Sequence, residues 1–501
     1  VVGRLPQFAE FWRACERPKL RYQAMQKPRF LVVTFPGQGH INPSIRFAHR
    51  LLRIGAAEVT FATSASALRR TNQADAPPGL SLVAYSDGID DIRDIKKEEL
   101  NEYMSRLRRC GSQTLAQLIR DAERAAEPFS CIIYTTIIPW AGRVARELQV
   151  PSALLWIQAA SVFLINYYYF NGYGDVIREA ANGASGAVEL PGLPRLTTDD
   201  LPSFFLPSST DQFGPPLFEE HMQLLAEEAH PKILVNSFDA LEGGPIRAVE
   251  DVEVIPVGPL VPLHFFSGSG KETNANLSWG GMDLYRSSRE CIVWLNSHSE
   301  SSVIFVSFGS YSVLPKPQME EIARALLDSG KPFLWVVRAL ERWGEGGGEE
   351  EEVISCREEV ESKGKMVAWC SQLEVLSHRA VGCFVTHCGW NSTTESLAVG
   401  TPVLALPLWS DQPTNAKLME EVWGVGVRAK RGGDGVVRRE EIGRCLKVLM
   451  GGGGEGEEIR RNSGKWKELA GEAGREGGCS DHNIKAFVGG FGQAANAEAR
   501  A

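Results

Sequence analysis

The chain has 501 residues, of which 43% are hydrophobic and 23% are charged. This length and composition predict two or three folded domains, and they exclude global disorder and a small scaffold held by disulfides. The 53 Lys and Arg residues against 62 Asp and Glu residues give a net charge of −9, which is the wrong sign for a protein that binds nucleic acid or an anionic membrane.

The N-terminal residues and the cysteines bear on the cellular compartment. We expect residues 1–27 to be a non-native or disordered extension, because the first strand-like run follows Met25. Charged residues interrupt any signal-peptide core in this extension. The ten cysteines are scattered without a C-x-x-C pair, which indicates free thiols in the cytoplasm. Residues 148–174 carry no Asp, Glu, Lys or Arg, but polar residues and Pro151 interrupt them, so we expect no stable membrane insertion.

The first half of the chain alternates strands with helices. Phe30–Phe35 is a predicted strand, and a Gly-rich turn leads from it into a predicted helix over Asn42–Leu52. Asn42 would cap this helix and Pro43 would occupy its first turn. Further predicted strands cover residues 58–62, 81–84, 131–134 and 152–156. Alternation of this kind is typical of a parallel sheet with helices on both faces.

The second half repeats the layout. Predicted strands cover residues 303–308, 333–337, 382–386 and 402–406, and a predicted helix covers 317–329. The two halves therefore predict two Rossmann-like domains, which are joined near the Pro-rich segment Val254–Pro262. A cleft between two such domains is the expected ligand site.

Three familiar motifs are incomplete. Gly37–Gly39 follows a strand, but Asn42 stands where a dinucleotide fingerprint needs its third Gly, which argues against a dehydrogenase. Gly268–Lys271 lacks the first Gly and the hydroxyl residue of a phosphate loop. A zinc site is disfavoured because neighbours on a strand point to opposite faces. The candidate ligands of such a zinc site are His378, Cys383, His387 and Cys388.

The segment from Trp369 to Gln412 is the most informative part of the chain. Within it a strand ends at Thr386 and a tight turn leads into a helix, which creates an anion site because unpaired N–H groups meet the positive end of the helix dipole. Each residue also has a structural interpretation. Ser392 and Glu395 could form a capping box, Trp369 and Trp390 could be core aromatics, and Asp411 could cap a helix.

As a whole, this segment resembles the signature of plant secondary-product glycosyltransferases, which are family 1 enzymes of the GT-B fold that use UDP-sugars. The resemblance runs from about Lys27 to Val488 and includes Val306–Ser310 and Glu476–Asp481. It implies an α/β chain of GT-B architecture with two Rossmann-like domains. Residues 28–255 would bind the acceptor and residues 256–472 the UDP-sugar, while a helix over 473–490 would return to the first domain and residues 491–501 would form a tail.

The resemblance also implies roles for individual residues. Trp369 would stack on uracil, Cys370 and Gln372 would contact its edge and the ribose, and Glu395 would accept from the ribose hydroxyls. The residues that would hold the pyrophosphate are Ser310, His387, Asn391 and Ser392, around the turn at Gly389. The residues that would contact the sugar are Gln158, Trp390, Asp411 and Gln412. The helix N-terminus would supply the positive charge, so no metal is expected, and a final Gln accompanies glucose more often than galactose in this family.

The acceptor side contains one expected base. His40 coincides with the family's general base, which takes a proton from the acceptor hydroxyl as its oxygen attacks the anomeric carbon and UDP leaves with inversion. Many relatives support this base with an Asp, where this chain has Thr135. Another carboxylate could substitute. Alternatively the acceptor could be a carboxylic acid, which with a pKa of about 4 is already ionised, whereas a phenol with a pKa of about 10 is not.

Thr135, together with Leu154–Ala160 and Tyr167–Gly172, resembles a plant subgroup. The subgroup includes anthocyanin 5-O-glucosyltransferases and enzymes that form glucose esters of crocetin or hormone acids. These features predict a cytoplasmic, monomeric, UDP-glucose-dependent O-glucosyltransferase that acts on flavonoid or anthocyanin hydroxyls or on carboxylic acids. Its expected partners are UDP-glucose and a small aromatic or apocarotenoid acceptor. The alternative is a UDP-sugar-binding protein with little or no transferase activity. Tyr167–Phe170 and Leu201–Phe205 could line an acceptor pocket or pack in a core.

Overall fold

The structure is a computed structural model that describes residues 27–55, 57–71, 76, 79–88, 100–183, 186–209, 214–266, 284, 290–337 and 354–498. The expected extension, apart from residue 27, lies outside the described residues. The rejected phosphate-loop candidate, Gly268–Lys271, also lies outside them.

The first domain is built on a parallel sheet. Its strands are β1 (Arg29–Val33), β2 (Glu58–Ser64), β3 (Leu80–Tyr85), β4 (Cys131–Thr135), β5 (Ser152–Trp156), β6 (Lys232–Val235) and β7 (Glu253–Pro256). Their order across the sheet is β3-β2-β1-β4-β5-β6-β7. The chain therefore reverses its direction of travel between β1 and β4, which are direct neighbours with Val33 paired to Tyr134.

The second domain is built on another parallel sheet. Its strands are β8 (Val303–Ser307), β9 (Phe333–Val336), β10 (Lys365–Val367), β11 (Val381–Thr386), β12 (Val403–Ala405) and β13 (Gly426–Arg428). Their order is β10-β9-β8-β11-β12-β13, so the reversal falls between β8 and β11. The two parallel sheets confirm the predicted α/β class.

Helices connect and cover the strands. They are α1 (Gln38–Arg53), α2 (Ala65–Arg70), α3 (Leu100–Arg124), α4 (Pro139–Glu147), α5 (Ala160–Tyr168), α6 (Gly174–Ala181), α7 (Gly214–Glu227), α8 (Asp239–Arg247), α9 (Glu290–Asn296), α10 (Lys316–Asp328), α11 (Arg357–Lys363), α12 (Gln372–Leu376), α13 (Trp390–Val399), α14 (Gln412–Lys417), α15 (Arg439–Met450), α16 (Gly454–Gly474) and α17 (Cys479–Glu498). Within the described part of the chain, none of them has the length and apolar character that a membrane crossing needs.

The central strands are apolar because they are covered on both faces. Strands β4, β8 and β11 are buried along their whole lengths. Parallel strands covered by helices on both sides carry near-continuous runs of Val, Ile and Leu, since neither face meets water. The polar residues of each sheet are therefore concentrated where strands end.

Four strands lie where no strand was predicted: β6, β7, β10 and β13. Each has only three or four residues, which is too short for hydrophobic periodicity to distinguish it from a loop. Strand β7 lies at the start of the Pro-rich segment Val254–Pro262, which is the predicted junction between the two domains. Its terminal residue, Pro256, is at the edge of the sheet, where the missing N–H removes no bond to a further strand.

Helix α1 corrects a predicted boundary. It begins at Gln38, with Gly37 as its N-cap, rather than at a cap formed by Asn42. Pro43 consequently lies inside the helix. Because Pro has no N–H, the carbonyl of Gly39 has no helical partner four residues on. That carbonyl is available to another donor.

The C-terminal helix also differs from the prediction over 473–490. Helix α16 continues to Gly474, and α17 runs from Cys479 to Glu498, beyond the point where the tail was expected to start. Gly477 separates the two helices with a φ of +74°, a left-handed conformation that interrupts an α-helix. Helix α17 packs against the first domain, where the rings of Phe487 and Phe30 lie 5.8 Å apart.

Candidate active site

The reversal points of the two sheets mark the candidate site. Ligands of open α/β sheets bind beyond the carboxyl ends of the strands where the strand order reverses. In the first domain this position is occupied by His40, in the helix after β1, and by Thr135, the last residue of β4. In the second domain it is occupied by Ser310, after β8, and His387, after β11.

A direct hydrogen bond joins the two reversal points. The Asn391 side chain donates through Nδ2 to the carbonyl oxygen of Gly39 at 2.8 Å. This is the carbonyl that Pro43 leaves without a helical partner. The proline in α1 therefore creates an acceptor for the turn that is expected to hold pyrophosphate.

His40 is partly exposed, and its ring lies against an aromatic side chain. Its ring lies 5.3 Å from that of Phe35 in an edge arrangement, and its Nδ1 is buried. Among the described residues, none forms a hydrogen bond with Nδ1. Burial lowers the pKa of His40 to about 3, because the charged imidazolium loses hydration. The imidazole is therefore neutral at physiological pH and can accept a proton.

Thr135 does not face His40 through its hydroxyl. The described partners of Oγ1 are Thr34 Oγ1, at 3.5 Å, and the backbone N–H of Phe35, at 3.4 Å. The hydroxyl thus joins the end of β4 to the end of β1. This contact stabilises the loop that precedes His40 and leaves the ring nitrogen without support from the position where many relatives carry Asp.

The turn after β11 has the geometry of an anion site. Helix α13 begins at Trp390 with Gly389 as its N-cap, so its first N–H groups have no acceptor within the helix. The His387 ring sits between two glycines: a Cβ on Gly309 or on Gly389 would lie 2.8 or 2.6 Å from its atoms. Burial lowers the pKa of His387 to about 4, so its ring is neutral. Ser310 lies in the loop after Gly309 and is partly exposed.

The capping-box interpretation of Ser392 and Glu395 is wrong. The helix begins earlier, at Trp390, so Ser392 lies inside its first turn. Ser392 Oγ instead accepts from Gln372 Nε2 at 3.1 Å, and the same nitrogen donates to Glu395 Oε2 at 2.8 Å. The second oxygen of Glu395 accepts from Arg46 at 2.9 Å.

The uracil end is formed by the loop between β10 and α12. Trp369 is partly exposed and Cys370 is buried at 5% exposure. Gln372 is the first residue of α12 and contacts α13 as described above. The structure thus brings the residues expected at uracil and ribose next to the helix expected at pyrophosphate.

The expected sugar contacts meet at the start of α14. Asp411 accepts from Asn415 at 2.8 Å and from the side chain of Gln158, which reaches across from the first domain. Burial raises the pKa of Asp411, although these hydrogen bonds oppose the shift. Gln158 Oε1 is buried and has no partner among the described residues. Gln412 Oε1 accepts from the backbone N–H of Leu408, at 2.8 Å, which fixes this loop.

Trp390 makes a contact between domains. Its Nε1 donates to the Asn236 carbonyl at 2.8 Å, and its ring centroid lies 6.1 Å from that of Trp423. Only 4% of the residue is exposed. This geometry gives Trp390 a structural role at the interface in addition to any contact with the sugar.

Sequence reasoning missed several residues that position the site. Asp200 of the first domain receives Arg428 at 2.7 Å and Lys417 at 3.1 Å from the second domain. The backbone N–H of Ser410 donates to Ser203 Oγ at 2.6 Å, which holds the loop beside Asp411. These partners lie more than 200 positions apart, so no local pattern signals them.

The aromatic segments pack mainly on each other. Tyr169 stacks on Phe205 at 4.2 Å between centroids, and Phe204 stacks on Phe218 at 5.0 Å. Phe204 and Phe205 are buried, whereas Tyr169 is partly exposed. Core packing therefore accounts for Phe204 and Phe205, and the partly exposed ring of Tyr169 is the better candidate for an acceptor contact.

Comparison with known proteins identifies the family. Residues 283–432 match the family described as UDP-glucoronosyl and UDP-glucosyl transferase. The chain is 49% identical over 478 residues to the chloroplastic crocetin glucosyltransferase of Gardenia jasminoides, covering 95% of this chain and 99% of the relative. It is 46% identical over 475 residues to anthocyanidin 3-O-glucoside 5-O-glucosyltransferase 1 of Perilla frutescens, covering 93% of this chain and 99% of the relative. The chain belongs to this family.

A solved structure agrees with this assignment. The crystal structure of Os79 from O. sativa in complex with UDP is similar to the structure of this chain, with a TM-score of 0.80 and 33% sequence identity. The match covers 92% of this chain and 100% of the Os79 chain. The expected family, the GT-B fold and the assignment as an enzyme are therefore confirmed. UDP bound in the rice protein supports a UDP-sugar donor, and a binding protein without transferase activity is not favoured.

Proposed function

We propose that this glycosyltransferase moves glucose from UDP-glucose to an oxygen atom of a small plant metabolite, with inversion at the anomeric carbon. The observation that carries the proposal is the hydrogen bond between Asn391 and the Gly39 carbonyl. It holds the N-terminus of α13, where pyrophosphate would bind, against the first turn of α1, which carries His40. The expected leaving group and the expected base therefore lie on opposite sides of one cleft.

The donor would be bound along the second domain. Trp369 and Cys370 would face uracil, Gln372 and Glu395 the ribose, and the turn around Gly389 the pyrophosphate. The N–H groups and dipole of α13 would offset the charge that develops on UDP as it leaves, so we propose that no metal is required. Asp411 and Gln412 would bind the glucose hydroxyls, with Gln158 reaching them from the first domain.

The chemistry at His40 favours a carboxylic acid as acceptor. A carboxylate oxygen attacks the anomeric carbon, the bond from that carbon to the β-phosphate oxygen breaks, and UDP leaves with the electron pair. No proton has to move. A phenol must lose its proton to His40, and the resulting imidazolium would lie beside Phe35 with its Nδ1 buried and without a partner among the described residues. Since a carboxylic acid arrives ionised, it avoids this cost.

The acceptor class can be tested with matched substrates. We expect purified enzyme, with UDP-glucose and with EDTA present throughout, to convert an aromatic or apocarotenoid acid to an alkali-labile glucose ester. His40→Ala should keep this activity within about tenfold, but lower any transfer to phenols by about 10²–10⁴-fold, the usual contribution of a general base. His230→Ala is the matched control, because His230 is exposed.

Three results would contradict parts of the proposal. Alkali-stable products alone, abolished by His40→Ala, would mean that the enzyme makes phenolic glucosides with His40 as an essential base. A fall in UDP affinity equal to the fall in rate would mean that His40 supports donor binding instead. Loss of all activity in EDTA, restored by a divalent cation, would contradict the role given to the helix N-terminus.

We also propose the cytoplasm as the compartment and a monomer as the active form. The nine described cysteines are all free thiols, which supports a reducing compartment. Fractionation of the tagged chain would test the compartment, which matters because the Gardenia relative is named as chloroplastic. Light scattering of the purified protein would test the oligomeric state.

A further inference from the structure

A buried ion pair joins the two domains at the expected ribose site. Arg46, in the middle of α1, donates through Nη1 to Glu395 Oε1 at 2.9 Å. The two side chains are 7% and 5% exposed. Removing two charges from water is costly and is offset only by good geometry and further hydrogen bonds, so a buried pair is weak evidence for a purely stabilising role.

The hydrogen bonds of Glu395 leave room for a ligand. An ionised carboxylate has two oxygens and about four sites for hydrogen-bond donors. Arg46 occupies one site on Oε1, and Gln372 occupies one site on Oε2. Among the described residues, no other donor occupies the second site on either oxygen. These two sites match the two vicinal hydroxyls of a ribose, which each donate one hydrogen.

Arg46 is itself fixed at the interface. Its Nη1 also donates to the Leu260 carbonyl at 3.2 Å, in the segment that follows β7. It lies six residues after His40 in the same helix, a distance of about 9 Å along the axis. The orientation of the Glu395 carboxylate is therefore tied to the helix that carries the expected base.

From this geometry we infer that Arg46 is a positioning residue for the donor ribose. It turns the Glu395 carboxylate so that one acceptor site on each oxygen faces the ribose hydroxyls, and it links their recognition to the contact between the two domains. The inference rests on the proposed function, since it requires that a uridine nucleotide binds at α13. It concerns a residue of the acceptor domain that acts on the donor without touching the reacting atoms.

Calorimetric titration with two nucleotides tests the inference. The unaltered enzyme is expected to bind 2′,3′-dideoxy-UDP more weakly than UDP by about tenfold or more, because hydrogen bonds to a charged group are lost. In Arg46→Gln this ratio should fall to about threefold or less, and the KM for UDP-glucose should rise by a larger factor than kcat falls. Arg46→Lys keeps the charge but not the planar set of donors of the guanidinium. The ratio of its affinities for UDP and 2′,3′-dideoxy-UDP should therefore lie between those of the unaltered enzyme and Arg46→Gln.

Controls separate positioning from folding. Arg53→Gln removes an exposed pair with Glu476 on the same helix, at 3.5 Å, and should leave the nucleotide ratio unchanged. Arg46→Lys leaves no uncompensated buried charge, so it provides the test if Arg46→Gln fails to fold. Equal weakening of both nucleotides in the Arg46 variants, or no weakening, would overturn the inference alone. Failure of the unaltered enzyme to bind UDP would overturn the proposed function as well.

Discussion

Asp200→Asn tests whether the second domain depends on an ionic contact with the first. The Asp200 carboxylate, 5% exposed, receives Lys417 and Arg428 from the other domain. Breaking a buried pair by removing one partner costs about 3–5 kcal/mol. The lower end applies here, because Lys417 keeps Glu421 at 2.9 Å and Arg428 keeps the Asp199 carbonyl. About 3 kcal/mol corresponds to a fall in Tm of about 6–12 °C for an unfolding unit of 150–250 residues.

Thermal unfolding followed by circular dichroism measures the effect. The matched control is Asp239→Asn, which removes an exposed pair with Arg247 and should cost about 1 kcal/mol or less. Equal shifts for the two variants would refute the reasoning. Because Asp200 holds α14, which begins at the expected sugar contact Gln412, a raised KM for UDP-glucose should accompany the lower Tm.

The effect of Asp200 also depends on pH in a fixed direction. Burial alone would raise the pKa of Asp200, but hydrogen bonds from Thr197, Lys417 and Arg428 outweigh it and hold the pKa below its usual value. A carboxyl group with a lowered folded pKa contributes stability that is present above its unfolded pKa, about 3.9, and is lost as pH falls through the folded value. The Tm difference between wild type and Asp200→Asn should therefore persist at pH 5 and shrink only below about pH 3.9.

Two further predictions concern the histidines of the cleft. Gly389→Ala places a methyl group 2.6 Å from the His387 ring and should weaken UDP binding by about tenfold or more in a calorimetric titration. Gly443→Ala is the control, because the space around its Cβ position is open, and it should leave UDP binding unchanged. Equal UDP affinities of the two variants would contradict the crowding argument. Burial lowers the pKa of His40 to about 3, so kcat/KM should stay constant from pH 8 down to pH 5. The acceptor in this assay must be one whose own ionisation does not change over that range. A fall in kcat/KM with an apparent pKa near 6.5 would show that the ring is more hydrated than the structure indicates.

The sequence predicted the parts of the site that are local. The turn from β11 into α13 is encoded in one contiguous run, because a strand, a Gly-containing turn and a helix start need only neighbouring residues. His40 and Thr135 could be placed at the ends of strands for the same reason. Boundaries were less accurate: Pro43 was expected in the first turn of a helix capped by Asn42, whereas the backbone already turns into the helix at Gly37.

The contacts between domains could not be predicted in this way. Arg46 and Glu395 are 349 positions apart, and Asn391 and Gly39 are 352 apart. Arg46 belongs to no local motif, and the capping box that Asp200 forms with Thr197 does not signal its partners in the other domain. A charged residue in an amphipathic helix or a polar loop is ordinarily exposed. Only the packing of the two sheets brings each of them to a buried partner.

The arrangement of these contacts explains how the cleft keeps its dimensions. Asn391 and Glu395 are one turn apart on α13, and Gly39 and Arg46 are two turns apart on α1, so each pair lies on one face of its helix. The two helices are therefore joined at two separate points, which restrains both their distance and their relative rotation. Since α1 carries His40 and α13 carries the expected pyrophosphate site, these two contacts help to set the distance between base and leaving group. Transfer reactions depend on placing the reacting atoms to within about 1 Å, which a rigid pair of helices provides better than connecting segments do.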